Sequence, residues 1–317
     1  MKLIIQIPCL NEEATLESVV DDLPKKIDGI NSIEYLVIDD GSTDNTVQVA
    51  KSLGVHHIEE LGTNRGLARA FEAGVERALK EGADIIVNTD GDNQYCGDGV
   101  VSLVEPIRDN KADMVIGCRP IINHPEFSGI KKFLQLLGSY VLRRLSKTTV
   151  KDAASGFRAI SRETALKMIV HTNFSYTMET LIQAGVNGSR VLSRDIKVKP
   201  KTRESRLYSS LTSYLKKSTF TMLSMALYYR PSVIFNSAGF LLLLSSLFIG
   251  GRFLYLVYFI NSPDPERTYL PSLILLAVLS IGAFILFLLG FLGELISKQR
   301  RLTETILKEI KLMKYGK

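Results

Sequence analysis

The sequence predicts an α/β domain built on a doubly wound, mostly parallel sheet, followed by an interfacial helical region and two transmembrane helices. Three observations carry this prediction. Over the first 120 residues, short runs rich in Ile and Val alternate with helical patterns. No charged residue falls between Pro231 and Gly251, and none between Leu270 and Gly293. Each of these stretches reaches the roughly 20 apolar residues that carry a helix across a bilayer core. What precedes them is about 205 residues, a normal size for one domain.

The elements follow in order. Leu3–Ile7, Tyr35–Ile38, Ile85–Val87 and Met114–Ile116 read as buried strands. Thr15–Leu23 and Asn45–Leu53 read as helices, the second with Asp44 placed to cap it. Gly66–Lys80 is the clearest helix, with Leu67, Ala70, Phe71, Gly74, Val75 and Ala78 along one face. His56 and His57 head a further strand as surface or packing residues. Such alternation implies a parallel sheet covered on both faces, with ligands bound beyond the carboxyl ends of its strands. Residues 121–206 are less regular. Ile130–Leu145 is amphipathic and basic, and Arg190–Lys201 alternates basic and apolar residues like an edge strand.

From Leu207 to Tyr229 a helical pattern mixes Leu, Met, Phe and Tyr with Lys216 and Lys217, which suits a helix lying in the membrane interface. Tyr228, Tyr229 and Arg230 fall at headgroup level. The expected organisation is an α/β domain at 1–206, the interfacial region at 207–230, spans at 231–260 and 270–294, and a basic tail at 295–317. Lys298, Arg300, Arg301, Lys308, Lys311, Lys314 and Lys317 crowd that tail, whereas the loop between the spans holds only Asp264, Glu266 and Arg267. This asymmetry predicts that both termini are cytoplasmic. Arg252 is expected to snorkel to the far interface, the alternative being that it faces another helix inside a bundle. Gly250, Gly251, Gly290 and Gly293 allow close helix packing, and with it a homo-oligomer.

The composition is that of a globular chain: 317 residues, 46% hydrophobic, net charge +6. That excludes disorder, collagen and a disulfide scaffold. Cys9, Cys96 and Cys118 are odd in number and far apart, so they read as small buried hydrophobes in a reducing compartment. No secretory signal is expected in the opening residues. No GxGxxG follows the first strand, and GxxxxGK[ST], HExxH and GxSxG are all missing, which disfavours dinucleotide redox chemistry and P-loop hydrolysis. No nucleic-acid partner is expected.

The chemistry is sought at acidic strand ends. The second strand runs into Asp39-Asp40-Gly41-Ser42, and the fourth into Asp90-Gly91-Asp92-Asn93-Gln94. Two carboxylates separated by one residue can face a single divalent cation, and Mg2+ or Mn2+ prefers such hard oxygens together with substrate phosphates.

IPCLNEE, VIDDGSTDNT, NRGLARAFEAG and DGDNQ, in that order, resemble the motifs of family 2 glycosyltransferases of the GT-A fold. The resemblance spans roughly residues 3–206. Asp152-Ala153-Ala154-Ser155-Gly156-Phe157-Arg158, Arg203-Glu204-Ser205-Arg206 and the paired spans resemble the subgroup of dolichyl-phosphate mannose synthases and polyprenyl-phosphate glucosyltransferases. The resemblance implies that Pro8, Asn11 and Glu12 line the base and ribose and that Asp40 contacts the base. It implies that Asp90 and Asp92 hold nucleotide and metal, with Gln94 beside the diphosphate and completing the metal set. Asp92 and Asp152 are the implied catalytic residues, Asp152 in the position often assigned the general base. Because an acceptor phosphate is already ionised, Asp152 is expected instead to orient Arg158 or another basic residue, or to stabilise charge on the sugar. Arg119, Lys131 and Arg203 would receive the acceptor phosphate, a task that suits the planar arginine fork.

The reading that follows is an inverting, membrane-anchored transferase. Its donor is a UDP- or GDP-linked sugar and its acceptor is undecaprenyl or dolichyl phosphate. Alternatives are a membrane glycosyltransferase with a non-lipid acceptor, and a catalytically silent nucleotide-sugar-binding protein. A processive polysaccharide synthase is disfavoured because its QxxRW motif needs a Trp and the chain has none.

Overall fold

A computed structural model of the chain describes residues 1–120, 140, 143, 146, 148–170, 176–199, 220, 223–224, 226–259 and 269–315. Lys131, Arg203, the basic segment 203–206, most of 130–145 and of 207–230, and all but the end of the loop 261–269 lie outside the described residues. The chain divides into two compact units, Met1–Met222 with Glu304–Lys317, and Leu223–Thr303.

In the first unit, strands and helices alternate as β1 (Lys2–Cys9), α1 (Leu16–Asp22), β2 (Ser32–Asp39), α2 (Thr46–Ser52), β3 (His57–Glu60), α3 (Leu67–Lys80), β4 (Ile85–Asn88), α4 (Asp98–Arg108) and β5 (Met114–Cys118). Then come β6 (Arg158–Ser161), α5 (Arg162–Lys167), α6 (Tyr176–Val186) and β7 (Val191–Asp195). The seven strands form one sheet in the order β3-β2-β1-β4-β6-β5-β7. β1 is buried on both faces, which explains why its run is continuously apolar rather than alternating. One face packs Leu3, Ile5 and Ile7 against Leu16, Val19 and Val20 of α1 and Val100, Leu103 and Val104 of α4. On α3, the stripe read from the sequence is buried at Ala70, Phe71, Gly74, Val75 and Ala78, while Leu67 is only half-buried.

The sheet is mostly parallel, as expected, with one exception. β6 runs antiparallel to both β4 and β5. Its four residues, Arg-Ala-Ile-Ser, are too few for a periodicity to show. Among the described residues β7 pairs only with β5 and so forms the edge, where the alternating sequence placed it. The helix begins at Thr46 rather than Asn45, so Asp44 lies one residue before the N-cap position instead of on it. Its carboxylate accepts from the Thr46 N–H and hydroxyl and from the Glu13 N–H, while the N-cap residue Asn45 makes no side-chain cap. Gly41 has φ +77°, and a Cβ there would come within 2.6 Å of the Asn64 backbone nitrogen, so the loop after β3 can close on the end of β2 only over a glycine.

The second unit holds α7 (Pro231–Tyr258) and most of α8 (Leu270–Tyr315), and both helices are long and apolar enough to cross a membrane. They pack antiparallel. Ser232 donates to Glu294 Oε2 at 2.8 Å, and the Ser246 and Ser280 hydroxyls meet at 2.7 Å. Cβ atoms on Gly290 and Gly293 would strike Asn236 and Pro231, so these glycines serve packing inside the hairpin. Phe240, Phe248, Phe284 and Phe291 point outward, more than half exposed, a surface that water solvates poorly and hydrocarbon solvates well. The Arg300 guanidinium lies over the rings of Tyr228 and Tyr229, at 5.0 and 4.7 Å. Arg252 is exposed near the opposite end of α7. α8 does not stop at Glu294 but continues as helix through the basic segment to Tyr315.

Candidate active site

The parallel strands β1, β2, β4 and β5 end at one edge of the sheet. Because β6 is antiparallel, its beginning lies at that same edge, with Arg158 opposite both Asn88 and Ile116. Three groups far apart in sequence therefore meet: the loops after β1 and β2, the acidic turn after β4, and the pair formed by Arg119 and the segment entering β6. This is the carboxyl edge where open α/β sheets bind ligands.

The end of β1 and the loops after β1 and β2 carry Pro8, Asn11, Glu12 and Asp40, the residues that the resemblance implies for the nucleotide. Pro8 sits in β1 beside Ile38 of β2. Asn11 has φ +55°, its Oδ1 accepts from the Thr43 N–H at 2.7 Å, and its own N–H donates to Ser42 Oγ at 2.9 Å. Glu12 is buried and accepts from the Thr15 hydroxyl at 2.9 Å. The Asp40 carboxylate accepts from the N–H groups of Arg65 and Gly66 at 2.7 and 2.9 Å. Burial raises the Asp40 pKa even against these two bonds. These bonds tie the loops after β1, β2 and β3 together at the sheet edge, a duty their motif does not reveal.

Asp90 and Asp92 follow β4. Burial, then the charge of Asp92, pushes the Asp90 pKa up to about 7, while Arg119 and Arg158 pull it down. Two carboxylates so placed repel each other, and a divalent cation relieves that repulsion. Among the described residues no group of three His, Cys, Asp or Glu side chains forms a closed metal cage. Two hard-oxygen ligands with the remaining positions left to phosphate and water fit Mg2+ or Mn2+. Asp92 Oδ1 accepts from the Gln94 N–H at 3.2 Å, and Gln94 is half-buried in the same turn. The turn is fixed from outside. Lys199 Nζ donates to Asn93 Oδ1 at 2.9 Å and to Asp22 Oδ2 at 3.0 Å, and the Gly97 N–H donates to the same Asp22 oxygen at 2.6 Å.

Arg119 directly follows β5 and forms a fork on Asp152, with Nε to Oδ2 at 2.7 Å and Nη2 to Oδ1 at 3.1 Å. Asp152 is wholly buried and the Arg119 side chain is about one-fifth exposed. Burial works against the Arg119 charge, but Asp152, with Tyr95 and Asp90, outweighs it and holds the pKa above its ordinary value. Arg119 Nη1 makes no bond among the described residues. Among the described residues, Arg119 is thus a basic side chain that Asp152 holds in a fixed orientation. Arg158 lies deeper, wholly buried, and its guanidinium bonds the Thr177 carbonyl at 3.1 Å, the Thr180 hydroxyl at 2.7 Å and the Ser155 carbonyl.

Asn88, Gln6 and Tyr176 were not singled out by sequence, although all three sit beneath the cleft. Asn88 offers a signal in hindsight, as a polar residue closing the buried strand Ile-Ile-Val-Asn. Cys9 and Cys118 are buried and Cys96 half-buried, all as free thiols. Burial, then Glu12, raises the Cys9 pKa well above its usual value, which makes that thiol inert.

Comparison with known proteins places this edge in context. The profile of glycosyl transferase family 2 matches residues 4–168, more than half of the chain. The UDP-N-acetylglucosamine–dolichyl-phosphate N-acetylglucosaminyltransferase of Methanococcus voltae is 30% identical over 201 residues, 56% of this chain and 76% of that protein. The undecaprenyl-phosphate mannosyltransferase of Micrococcus luteus is 27% identical over 206 residues, 61% of this chain and 81% of that one. A glycosyltransferase of Haloferax volcanii matches at 27% over 264 residues, 80% of each chain. Among solved structures, the glucosyl-3-phosphoglycerate synthase of Mycobacterium tuberculosis, in complex with Mn2+, UDP and glucosyl-3-phosphoglycerate, superposes with a TM-score of 0.52 at 20% identity. That match covers 71% of this chain and 78% of that one, and shows a shared GT-A fold. With these matches and the acidic turn after β4, the chain belongs to glycosyl transferase family 2 and is a glycosyltransferase.

Proposed function

We propose that the protein transfers a sugar, with inversion, from a UDP- or GDP-linked donor to a polyprenyl phosphate at the cytoplasmic face of a membrane. The observation that carries this reading is the fork of Arg119 on buried Asp152 beside Asp90, an anion seat next to a diphosphate seat. The names of the relatives from Methanococcus and Micrococcus, both acting on polyprenyl phosphates, support it, as do the two apolar helices.

Asp90 and Asp92, with Gln94 beside them, would hold Mg2+ or Mn2+, which supplies Lewis-acid neutralisation of the departing diphosphate. Pro8, Asn11, Glu12 and Asp40 orient the nucleoside. Arg119, with Lys131 and Arg203, seats the acceptor phosphate. A phosphate oxygen then bonds to the anomeric carbon as the bond from that carbon to the diphosphate oxygen breaks, and the nucleoside diphosphate leaves with the electron pair. In-line attack inverts the centre, and no proton need be removed. Asp152 keeps Arg119 charged and aimed. Basic residues of the tail hold the protein to an anionic leaflet at about 1 kcal/mol per charge near the surface.

Two experiments test this reading. Radiolabelled UDP- and GDP-sugars are incubated with membranes plus polyprenyl phosphate, plus polyprenol, or with no addition. Label in the organic phase that depends on the phosphate is expected. Label that appears only in a water-soluble product assigns a non-lipid acceptor, and no turnover with any donor assigns a silent binder. For topology, reporters fused before Met1 and after Lys317 are expected to read cytoplasm and one inserted near Pro265 the opposite side, from the Lys and Arg asymmetry around the spans. A C-terminal reporter on the outside contradicts the arrangement.

A further inference from the structure

Between the two seats runs a short turn, Asp152 to Gly156. At one end Asp152 holds Arg119. At the other, Gly156 lies so close to Asp90 that a Cβ there would come within 3.1 Å of Asp90 Oδ1 and 2.8 Å of the Tyr176 hydroxyl. The turn is closed by the Ser155 N–H, which donates to the Asp152 carbonyl at 3.4 Å. It is then gripped from below by two fully buried side chains. Asn88 Nδ2 donates to the Gly156 carbonyl and to the Tyr176 hydroxyl, each at 3.0 Å, while its Oδ1 accepts from Gln6 Nε2 at 2.8 Å. Arg158 Nη2 holds the Ser155 carbonyl, and its other end is anchored on α6 through Thr177 and Thr180.

A guanidinium is a costly choice for a brace. Arg158 has no exposed surface, its Nε has no hydrogen-bond partner, and none of its bonds among the described residues goes to a carboxylate. Burying an unpaired charge costs several kcal/mol. The fork does what a smaller residue cannot: it spans from α6 to the turn. Tyr176 completes the clamp, its ring stacked on Phe71 at 4.0 Å and lying beneath the Arg158 guanidinium, 5.4 Å from the ring centroid.

We propose that Asn88 and Arg158, with Tyr176, are positioning residues that fix the Asp152–Gly156 turn as a spacer between the donor's metal-holding carboxylates and the acceptor-holding Arg119. This inference rests on the proposed transfer to polyprenyl phosphate. None of the three residues touches a reacting atom. Their effect is on the distance and angle between two bound substrates, and misplacement by about 1 Å can cost on the order of 100-fold in a reaction that depends on alignment.

Water needs no such seat. The test is therefore the ratio of sugar transfer to donor hydrolysis in the full-length membrane enzyme carrying Asn88→Ala, Arg158→Lys or Tyr176→Phe. Thermal stability is measured in parallel, together with binding of Mn2+–UDP and Mn2+–GDP by calorimetry. The ratio is expected to fall about 10- to 100-fold in Asn88→Ala and Arg158→Lys, and less in Tyr176→Phe, with nucleotide affinity within about 3-fold of the wild type. Tyr176→Phe removes one hydroxyl from a ring that Phe71 still packs, so it reports even if the other two variants unfold. Transfer and hydrolysis that decline together, or an unchanged ratio in Tyr176→Phe and in every folded variant, overturn the spacer. A wild type that makes no lipid-linked product overturns the proposed function instead, so the two failures are told apart.

Discussion

Asp92→Asn and Asp90→Asn are each expected to lower turnover about 1,000-fold or more, and excess EDTA is expected to do the same to the wild-type protein. Lewis-acid stabilisation of a departing diphosphate contributes several kcal/mol, and each 1.36 kcal/mol is a factor of ten in rate. The structure adds a signature that separates lost chemistry from lost folding. Asp90 is burdened by burial and by Asp92, which together raise its pKa to about 7. Replacing its carboxylate with an amide removes that burden. In metal-free protein Asp90→Asn is therefore expected to keep or raise the melting temperature while activity disappears, the pattern of a site that trades stability for function. A wild type fully active in excess chelator rules out the metal, and an Asp90→Asn variant that is both unfolded and inactive rules out the electrostatic reading.

Asp152→Asn is expected to remove most activity for a different reason. Breaking a buried ion pair costs about 3–5 kcal/mol when it strands a charge, and here the stranded group is Arg119. The amide still offers one acceptor oxygen, so Arg119 is held loosely rather than released. If Asp152 were a general base, its loss would cost about 10²–10⁴-fold, and the acid limb of the pH–rate profile would belong to the enzyme. A phosphate monoester has a second pKa near 6 and is largely dianionic at neutral pH, so it arrives as a ready nucleophile. The acid limb of kcat/KM is accordingly expected to move with the acceptor's own pKa when phosphates and phosphonates are compared. A limb that stays fixed across acceptors, and vanishes in the residual activity of Asp152→Asn, makes the carboxylate the base.

The parts of this site that were legible in sequence share a physical cause. Strands buried on both faces must be continuously apolar, so β1, β2, β4 and β5 announce themselves, and the residues just after them are then candidates by position. Asp40, Asp90 and Asp92 were found in that way. What stayed hidden depends on contacts across long sequence distances. Arg119 and Asp152 are 33 residues apart, and they meet only because β6 enters the sheet backwards at four residues. The resemblance to known families named both residues but gave them separate tasks, whereas the structure makes them one unit. The bond from Asp40 to the loop at Arg65 and Gly66, and the grip of Lys199 on the turn at Asn93, are equally nonlocal. In the second unit, charge-free length located two helices apolar enough to cross a membrane, but not that α8 would carry its helix on through the charged tail. Hydropathy reports where the solvent changes. A helix satisfies its own backbone hydrogen bonds on either side of that boundary.

In the proposed reaction a sugar, without its phosphate, passes to a polyprenyl phosphate. The most direct measurement is mass spectrometry of the organic-phase product, paired with identification of the nucleotide released. The expected lipid is the polyprenyl monophosphate plus one glycosyl residue, formed together with one equivalent of nucleoside diphosphate. A polyprenyl diphosphate sugar accompanied by nucleoside monophosphate, or a lipid left unmodified while donor is consumed, contradicts it.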